Sequence, residues 1–274
     1  MNNLIKGAYD LHFHTSPDLK NRKVNDYELV KRLQKNGMKG VVIKSHFFES
    51  ASRAFLMNYL FPDMEIYGGV TLNNSVGGIN PEIVDKVGKI GGKFVWFPTL
   101  DALSYNKFKG NKLKKEYIGI LNDRNELMPE VIDVLENIKR HNMILGTGHL
   151  SSIEGLVLIK KASELGIKKI IVTHADNPAN YYSIEDQLLA IEYGAVIEHC
   201  YLNVFWKQTN PIDLVKQINE VGNDNVVLST DFGQVDSPNS DEGMLEFSKI
   251  LIENGILEND IRKMIVDNPI KLLE

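Results

Sequence analysis

The feature that most constrains the fold is an alternation of short apolar runs and longer helical patterns, repeated along the whole chain. The short runs are rich in β-branched and aromatic residues, as buried strands are. Each is followed by a stretch of helical periodicity, and most of these stretches end in Gly or Asn, which fits a helix C-cap. This alternation predicts parallel strands joined by helical crossovers. The eight candidate strands cover residues 8–15, 40–47, 65–72, 93–100, 143–150, 168–174, 195–201 and 225–231.

Candidate helices lie between these strands, and several have recognisable first residues. Asn80 before Pro81 and Asn210 before Pro211 each place an N-cap candidate ahead of a proline at the first helical position. Two further helices supply the last crossover and a closing helix. The predicted helices cover residues 26–36, 81–90, 129–142, 152–166, 184–194, 211–221, 240–254 and 258–273.

Eight strands with helical crossovers favour a single (β/α)8 TIM barrel over an open doubly wound sheet. The open sheet usually carries a glycine-rich phosphate loop after its first strand. Here the turn after strand one runs from His12 through Pro17 to Asp18 with no glycine. Barrels of this kind commonly have about 250 residues. The 274 residues therefore fit one α/β barrel domain over 1–274.

A segment after the fourth strand, residues 104–127, interrupts this rhythm. Residues 117–121 and 126–127 flank a turn-prone sequence from Asn122 to Asn125, which predicts a small hairpin. A loop at that place on a barrel lies over the mouth. There it either covers a bound substrate or is a surface loop without a role in binding.

Composition and charge argue against several kinds of partner. The formal net charge is -5, with acidic and basic residues mixed along the chain, so no nucleic-acid partner is expected. Residues 1–10 contain one lysine and no long apolar run, so we expect neither a secretory signal nor a membrane-spanning helix. Cys200 is the only cysteine, which agrees with a reducing compartment. We expect a cytoplasmic protein that binds a small-molecule substrate; a homo-oligomer is left open.

Six of the seven histidines fall at or just before the C-terminal ends of predicted strands. In a barrel these ends meet at one mouth, where active sites are built. The exception is His141, which lies at a helix end, where a basic side chain complements the helix dipole. The six are His12, His14, His46, His149, His174 and His199.

His12 and His14 lie two residues apart on strand one, so their side chains project to the same face and can hold one ion together. Asp231, at the end of strand eight, adds a carboxylate across the mouth. Neutral imidazole together with carboxylate suits zinc and its first-row neighbours. The spacing therefore predicts a metal site in the barrel lumen.

Four motifs together resemble the amidohydrolase superfamily of metal-dependent hydrolases. In that superfamily strand one gives a His-x-His pair, strands five and six give one histidine each, and strand eight gives an aspartate. This chain has all four in that order, and the resemblance covers nearly the whole chain, including residues 264–269. The motifs are Tyr9-Asp10-Leu11-His12-Phe13-His14-Thr15, Thr147-Gly148-His149-Leu150-Ser151, Val172-Thr173-His174-Ala175-Asp176 and Ser229-Thr230-Asp231-Phe232.

The resemblance implies an enzyme that uses metal-activated water to cleave an amide, ester or lactone bond of a small molecule. By the same resemblance His12, His14, His149 and His174 are metal ligands. Asp231 is a ligand that also accepts a proton from water as a catalytic base. The cofactor is expected to be one or two divalent ions, zinc first, with manganese, iron or nickel as alternatives. Decarboxylases and isomerases belong to the same superfamily, so the reaction type stays open.

The pattern departs from two-metal members, which usually bridge their ions with a carboxylated lysine from strand four. Residues 94–101 contain no lysine, whereas strand two carries Lys44 and His46, two apart and on one face. Lys44 is a candidate catalytic residue that bridges ions, binds an anionic substrate group or pairs with Asp231. His46 is expected to bind substrate, as are Asn73 and Asn177 in loops after strands three and six; turn geometry alone is the alternative for these two loops.

Three residues beside the candidate ligands have roles that the pattern leaves open. His199, which follows Glu198 on strand seven, is a candidate catalytic residue through a substrate contact or as an auxiliary ligand. Cys200 should point the opposite way and be an inert buried thiol. Asp10 shares the parity of the strand-one histidines and either orients a ligand or is a buried structural carboxylate.

Two alternative functions follow from the same residues. The sequence around His12 and the Ser45-His46 pair also resemble the polymerase and histidinol phosphatase family of phosphoesterases. That family would want an acidic ligand after strand three, and residues 69–73 contain none. A non-catalytic metal-binding barrel is the other alternative. It would not need a carboxylate such as Asp231 placed to move protons.

Overall fold

The computed structural model describes residues 3–112 and 114–274, and the strands in this part of the chain are short and parallel. They are β1 (Tyr9–His14), β2 (Gly40–Lys44), β3 (Glu65–Tyr67), β4 (Gly69–Thr71), β5 (Phe94–Trp96), β6 (Ile144–Gly146), β7 (Ile170–Val172), β8 (Ala195–Cys200) and β9 (Val226–Ser229). One hydrogen-bonded group has the order β1-β2-β3, and the other runs in sequence from β4 to β9. Each strand therefore pairs with the strand that precedes or follows it in the chain.

The predicted strand over residues 65–72 is present as two pieces, β3 and β4, separated by Gly68. β3 pairs with β2, and β4 pairs with β5. Ser50 lies at the break, where its N–H donates to the Gly69 carbonyl at 2.8 Å and its Oγ accepts from the Gly69 N–H at 3.0 Å. A Cβ at Gly68 would overlap the Ser50 carbonyl oxygen, so the close approach requires glycine. The two pieces together occupy the place of one barrel strand.

The chain after the last strand hydrogen-bonds back to the first strand. The Asp231 N–H donates to the His12 carbonyl at 2.9 Å, and the His14 N–H donates to the Phe232 carbonyl at 2.8 Å. Phe13 and Phe232 form a parallel bridge at the same place. The strand order thus returns to its start, and the predicted (β/α)8 barrel is confirmed.

Helices fill the connections between the strands. They are α1 (Asp26–Lys35), α2 (Ala51–Leu60), α3 (Pro81–Lys89), α4 (Leu103–Phe108), α5 (Pro129–Arg140), α6 (Ser152–Glu164), α7 (Ile184–Glu192), α8 (Tyr201–Phe205), α9 (Pro211–Val221), α10 (Ser240–Glu253), α11 (Glu258–Arg262) and α12 (Asn268–Leu273). Asn80 and Asn210 cap α3 and α9 as predicted, with side-chain oxygens that accept from backbone N–H groups at 3.0 and 2.9 Å. α2 is absent from the sequence predictions, because only Ala51 and Ala54 of it are buried and no apolar stripe marks it. No helix in the described ranges is long and apolar enough to cross a membrane.

The predicted hairpin after the fourth barrel strand is present as a tight turn. Leu121 and Leu127 form an antiparallel bridge, and the Asn122 N–H donates to the Glu126 carbonyl at 2.9 Å. The Asn122 side chain accepts from the Arg124 and Glu126 N–H groups at 2.8 and 3.0 Å, as turn-forming asparagines do. The same segment also contains α4, which the sequence analysis does not predict. This helix brings aromatic side chains to the barrel mouth.

The barrel lumen is filled by two layers of different chemistry. The lower layer is apolar and is sealed from below by Leu272 and Leu273 of α12. Above it, the side chains that project inward from β1, β2 and β8 are polar, and they lie beneath the mouth. The lower layer consists of Tyr9, Leu11, Val42, Phe94, Trp96, Ile144, Ile171 and Val227.

Candidate active site

Five imidazole rings form a closed ring at the barrel mouth. Going round it, neighbouring ring centroids are 4.7 to 5.9 Å apart. The sequence positions of these residues span the chain, so only the fold brings them together. The members, in order round the ring, are His12, His14, His46, His149 and His174.

Asp231 connects the two histidines of strand β1. Its Oδ1 lies 3.0 Å from His12 Nε2 and 3.1 Å from His14 Nε2. One donor atom from each of the three residues lies within 4.8 Å of the others. Burial alone would raise the pKa of Asp231, but the adjacent His12 and His14 hold it well below its usual range. The carboxylate is therefore ionised and central to the site.

Four of the five imidazoles are held neutral. Burial lowers the pKa of His14 to about 3 and that of His174 to about 4. Burial also takes the pKa values of His46 and His149 well below the ordinary value. A neutral imidazole keeps a free lone pair, which metal coordination requires. These rings are thus in the protonation state of ligands.

His12 differs from the other four because it contacts two carboxylates. Its Nδ1 lies 3.2 Å from Glu198 Oε2, on the opposite side of the ring from Asp231. Burial opposes protonation, yet Asp231 and Glu198 raise the pKa of His12 above its ordinary value. Glu198 also accepts from the His174 N–H at 3.2 Å. One carboxylate therefore orients both a histidine ring and the backbone of another candidate ligand.

Lys44 and Cys200 complete the surroundings of His12. Lys44 Nζ lies 2.9 Å from His12 Nε2 and 5.1 Å from the centroid of the Trp96 ring. Burial lowers the pKa of Lys44, although Asp231 and Glu198 counteract this. Cys200 Sγ lies 3.8 Å from His12 Nδ1, and burial raises the pKa of its thiol well above the ordinary value. Cys200 is buried as predicted, but it faces the site rather than away from it.

Alternation along β8 separates His199 from Glu198 and Cys200. The His199 Nδ1 lies 3.0 Å from Asp176 Oδ1, and both side chains are buried. Asn203 also donates to Asp176, at 2.9 Å. The structure thus places Glu198 among the candidate ligands and His199 on the other side of the strand. In the sequence Glu198 stands out only as the neighbour of His199, although a charge in the middle of an otherwise apolar strand is a signal for a residue that faces the site.

Asp10 supports the site from outside the lumen. A bulge in β1 between Asp10 and Phe13 places two residues opposite one of β2. The parity of the strand changes there, so Asp10 does not share the face of His12 and His14. Its carboxylate accepts from Ser240 Oγ and Thr230 Oγ1, both at 2.6 Å. Since Thr230 precedes Asp231, Asp10 fixes the backbone that presents the central carboxylate.

The three predicted substrate-binding residues have different positions. His46 and Asn177 line the cavity above the imidazole ring. Asn73 is buried instead and donates to the His46 carbonyl at 2.9 Å and to Thr99 Oγ1 at 2.7 Å. Thr99 Oγ1 in turn lies 2.8 Å from His46 Nδ1. Asn73 therefore holds His46 in place.

The backbone is unusual at two of the candidate ligands. His174 has φ of 33° and Asp231 has φ of 53°, both in the left-handed region. Residues other than glycine adopt this region rarely, and such strain concentrates at functional sites. In both cases the unusual residue follows a barrel strand, so it turns the side chain back over the mouth.

A cavity of about 370 Å³ opens above the imidazole ring. This volume is in the range of small-molecule sites. Its floor is formed by the histidines and Asp231, and its walls carry basic, amide and apolar side chains. The lining residues are His14, Lys20, Arg22, His46, Leu100, Tyr105, Phe108, Lys109, His149, His174, Asn177, Pro178, Ala179, Leu202, Trp206, Gln208, Asp231 and Gln234.

The donor atoms fit a divalent metal ion. Buried Nδ1 atoms of His14, His149 and His174 make no hydrogen bond within the described part of the chain. Buried polar atoms normally have partners, so their lack of one points to an absent ligand. Neutral imidazoles and a carboxylate are the ligands that zinc and related first-row metals prefer. These residues can therefore hold a metal at the floor of the cavity.

Solved structures of several enzymes share this fold. An amidohydrolase from Pseudomonas aeruginosa has 13% identity and a TM-score of 0.68, with 98% of this chain and 96% of that one covered. The probable dipeptidase PvdM from the same organism also has 13% identity and a TM-score of 0.68, covering 97% and 94%. A 2,6-dihydroxybenzoate decarboxylase from Rhizobium has 12% identity and a TM-score of 0.54, covering 98% of each chain. The fold that the superfamily resemblance implies is thereby confirmed.

Comparison by sequence gives a family without an assigned reaction. No curated protein matches the chain. The sequence model of a family described as a family of unknown function, DUF6282, matches residues 7–198, which include every candidate ligand except Asp231. The chain therefore belongs to the DUF6282 family.

Proposed function

We propose that this protein is a metal-dependent hydrolase that cleaves an amide, ester or lactone bond of a small molecule. The observation that carries the proposal is the position of Asp231 Oδ1, 3.0 and 3.1 Å from the Nε2 atoms of His12 and His14. It lies beneath a cavity large enough for a small substrate. The shared fold of an amidohydrolase and a probable dipeptidase supports the same class of reaction.

The residues that would hold the metal in this proposal are His12, His14 and Asp231. His149 and His174, on the facing wall of the site, are the further candidate ligands. A divalent cation, zinc first among the candidates, supplies Lewis acidity that polarises a substrate carbonyl and lowers the pKa of water. Glu198 holds the Nδ1 side of His12, which directs Nε2 of that ring toward Asp231.

Asp231 is the proton carrier of the reaction. As an ionised carboxylate, Asp231 can accept a proton from the attacking water. The same carboxyl group then returns the proton to the leaving group. His46 and Asn177 line the cavity and contact the substrate.

Decarboxylation is a second candidate reaction. Lys20 and Arg22 line the cavity and would hold a carboxylate, and one structure of the same fold is titled a 2,6-dihydroxybenzoate decarboxylase. Release of carbon dioxide from a carboxylate that the enzyme binds, without hydrolysis of esters, lactones or amides, would favour it.

Metal analysis of protein purified without chelators tests the proposal. We expect about one or two equivalents of a first-row metal in the wild type, and loss of that metal in the variant His12→Ala/His14→Ala. The control is His141→Ala, because His141 lies away from the site and pairs with Asp85 at 2.8 Å. The preparations are then assayed on esters, lactones, amides and phosphoesters.

Four results would contradict the proposal. Wild-type protein purified without bound metal would contradict the metal dependence. Metal retained by the double variant would show that His12 and His14 are not its ligands. Metal-loaded protein that is inert on the whole panel would favour a non-catalytic metal binder. Turnover of the phosphoesters alone would favour the phosphoesterase alternative.

A further inference from the structure

The wall of the cavity has two chemically different faces. One face carries the cations Lys20 and Arg22 from the loop between β1 and α1, whereas Lys109, just after α4, lies 5.6 Å from the Tyr105 ring centroid on the other. The other face carries the large rings of Tyr105, Phe108 and Trp206. A ligand that satisfies both faces has one anionic group and one apolar body. This inference about the substrate rests on the proposed function of the site.

The cationic face is built rather than accidental. Asp18 accepts from the Lys20 N–H at 3.1 Å and from Arg22 Nε at 3.0 Å. The Arg22 side chain is only 3% exposed, and its Nη2 lies 2.9 Å from Asp18 without making a hydrogen bond. Buried guanidinium donors normally find acceptors, so Nη2 has capacity for a ligand oxygen.

The loop that carries this face is held against the catalytic end of the barrel. The Lys23 N–H donates to the Gly233 carbonyl at 2.9 Å, and the backbones of Arg22 and Gln234 form an antiparallel β-bridge. Gln234 in turn donates from its side chain to the Asp231 carbonyl at 3.0 Å. The cations are therefore fixed relative to Asp231 before any ligand binds, which reduces the entropy lost on binding.

The charge in the cavity favours a monoanion over a dianion. Asp231 is the only acidic residue of the lining, and its charge is engaged by His12 and His14. Asp18 neutralises Arg22, whereas neither Lys20 nor Lys109 makes a salt bridge within residues 3–112 and 114–274, so with the negative charge of Asp231 the lining has an excess of about one positive charge. A cleft with a small excess of positive charge concentrates anions of matching charge. One carboxylate group fits this excess.

The apolar face needs a partner of its own. Trp206 is 46% exposed and Phe108 is 55% exposed, although both lie at the mouth of a buried site. The Tyr105 ring centroid lies 4.7 Å from that of His149, so this face continues down to the imidazole ring. Flat apolar surface of this kind gains free energy when it packs on an aromatic or aliphatic group.

We propose that the substrate is a small carboxylate with an apolar body of about the size of one aromatic ring. Lys20 and Arg22 bind the carboxylate group. Tyr105, Phe108 and Trp206 hold the apolar body, and the bond to be cleaved lies above Asp231. Lys20 is the specificity-determining residue, since its charge has no salt-bridge partner among the described residues and its loop is fixed against the segment that carries Asp231.

Ligand binding can be followed without turnover through tryptophan fluorescence. The chain has two tryptophans, of which Trp206 lines the cavity and Trp96 is buried below it. The probes are 3-phenylpropanoate, its uncharged amide and the dianion phenyl phosphate. We expect the carboxylate to change the emission of the wild type and to bind at least about tenfold more tightly than the amide. Trp206→Phe should remove the signal.

The variant Lys20→Met isolates the contribution of the charge. It should weaken binding of 3-phenylpropanoate about tenfold and leave binding of the amide unchanged. The matched control is Lys23→Met, from the same loop, because the Lys23 side chain donates to the Val235 carbonyl and does not line the cavity. It should bind all three probes as the wild type does.

Three results would overturn this inference: equal affinity for the carboxylate and the amide, tighter binding of phenyl phosphate, or no effect of Lys20→Met. Metal content measured on the same preparations separates this inference from the proposed function. If protein that holds no metal binds the carboxylate, the hydrolase proposal is contradicted but the substrate class is not. If metal-loaded protein hydrolyses uncharged esters but does not bind the carboxylate probe, the substrate class is contradicted but the hydrolase proposal is not.

Discussion

Glu198 Oε2 lies 3.2 Å from His12 Nδ1, while Asp231 Oδ1 lies 3.0 Å from Nε2 of the same ring. The imidazole is thus held between two carboxylates, one on β8 and one just after β9. With a metal bound, such an arrangement would fix the tautomer, because the Nδ1–H would donate to Glu198 and leave the Nε2 lone pair for the metal. Glu198 therefore has a positioning role that its place in the sequence does not reveal.

The variant Glu198→Gln should weaken metal binding about 10- to 100-fold, which is the usual effect of removing a carboxylate behind a ligating histidine. Competition with a chromogenic chelator measures the affinity. Glu192→Gln, an exposed glutamate at the end of α7, is the control and should bind metal as the wild type does. An unchanged metal affinity of Glu198→Gln would show that Glu198 does not position His12.

The variant Asp231→Asn should retain metal while losing turnover. The amide keeps an oxygen near His12 and His14 but cannot accept a proton, so kcat should fall about 10²- to 10⁴-fold. Metal content and kcat on a hydrolysed ester or lactone are the measurements. Asp236→Asn, in the exposed loop nearby, is the control. Full activity of Asp231→Asn would show that another group moves the proton.

Stability of the metal-free protein should fall as the pH drops below about 6.5. Burial depresses the folded-state pKa values of His14 and His174 to about 3 and about 4, whereas the unfolded chain titrates near 6.5. Between these values the unfolded state binds more protons, so acidification favours unfolding. His12, whose pKa is raised, contributes in the opposite sense above pH 6.5 and is outnumbered.

Denaturant unfolding at pH 7.5 and 5.5 measures this effect. Each depressed histidine contributes up to about 1.4 kcal/mol per pH unit below 6.5. The variant His174→Gln should have a shallower dependence than the wild type. A free energy of unfolding that does not change between the two pH values would contradict the neutral state of these rings.

Gly233 is required where the last strand meets the first. Its φ is +120°, and a Cβ there would overlap the His14 carbonyl oxygen. Gly233→Ala should therefore be strongly destabilising and should also weaken metal binding, because His14 must move. Gly255→Ala is a matched control: its φ is +106°, but no atom lies near the added Cβ. Thermal unfolding of the two variants compares crowding at similar backbone strain, and equal stability would refute the steric argument.

The fold and the grouping of the candidate ligands at one mouth could be predicted because both depend on repeated local signals. Each strand-helix unit has its own apolar pattern, and His149 and His174 follow strands whose carboxyl ends must meet. The split of the third strand at Gly68 could not be foreseen, since the Ser50 backbone that causes it comes from another part of the chain.

Side-chain direction was the part that local patterns could not determine. Alternation fixes which residues share a face only while the strand is regular. The bulge in β1 moves Asp10 to the opposite face from His12, and within β8 it is Glu198 that faces the site while His199 contacts Asp176. The catalytic role of His199 remains a prediction. The bulge leaves no mark in the composition of β1, whereas the charge of Glu198 within an apolar strand is a signal for the face that β8 turns to the site.

The apolar layer beneath His12, together with Leu272 and Leu273, separates the imidazoles from the lower end of the barrel. In the proposed reaction, water, protons and products would therefore pass through the mouth of the barrel, where the cavity opens above the imidazole ring. A substrate bound in this mouth would then slow the exchange of solvent at the imidazoles until the product leaves.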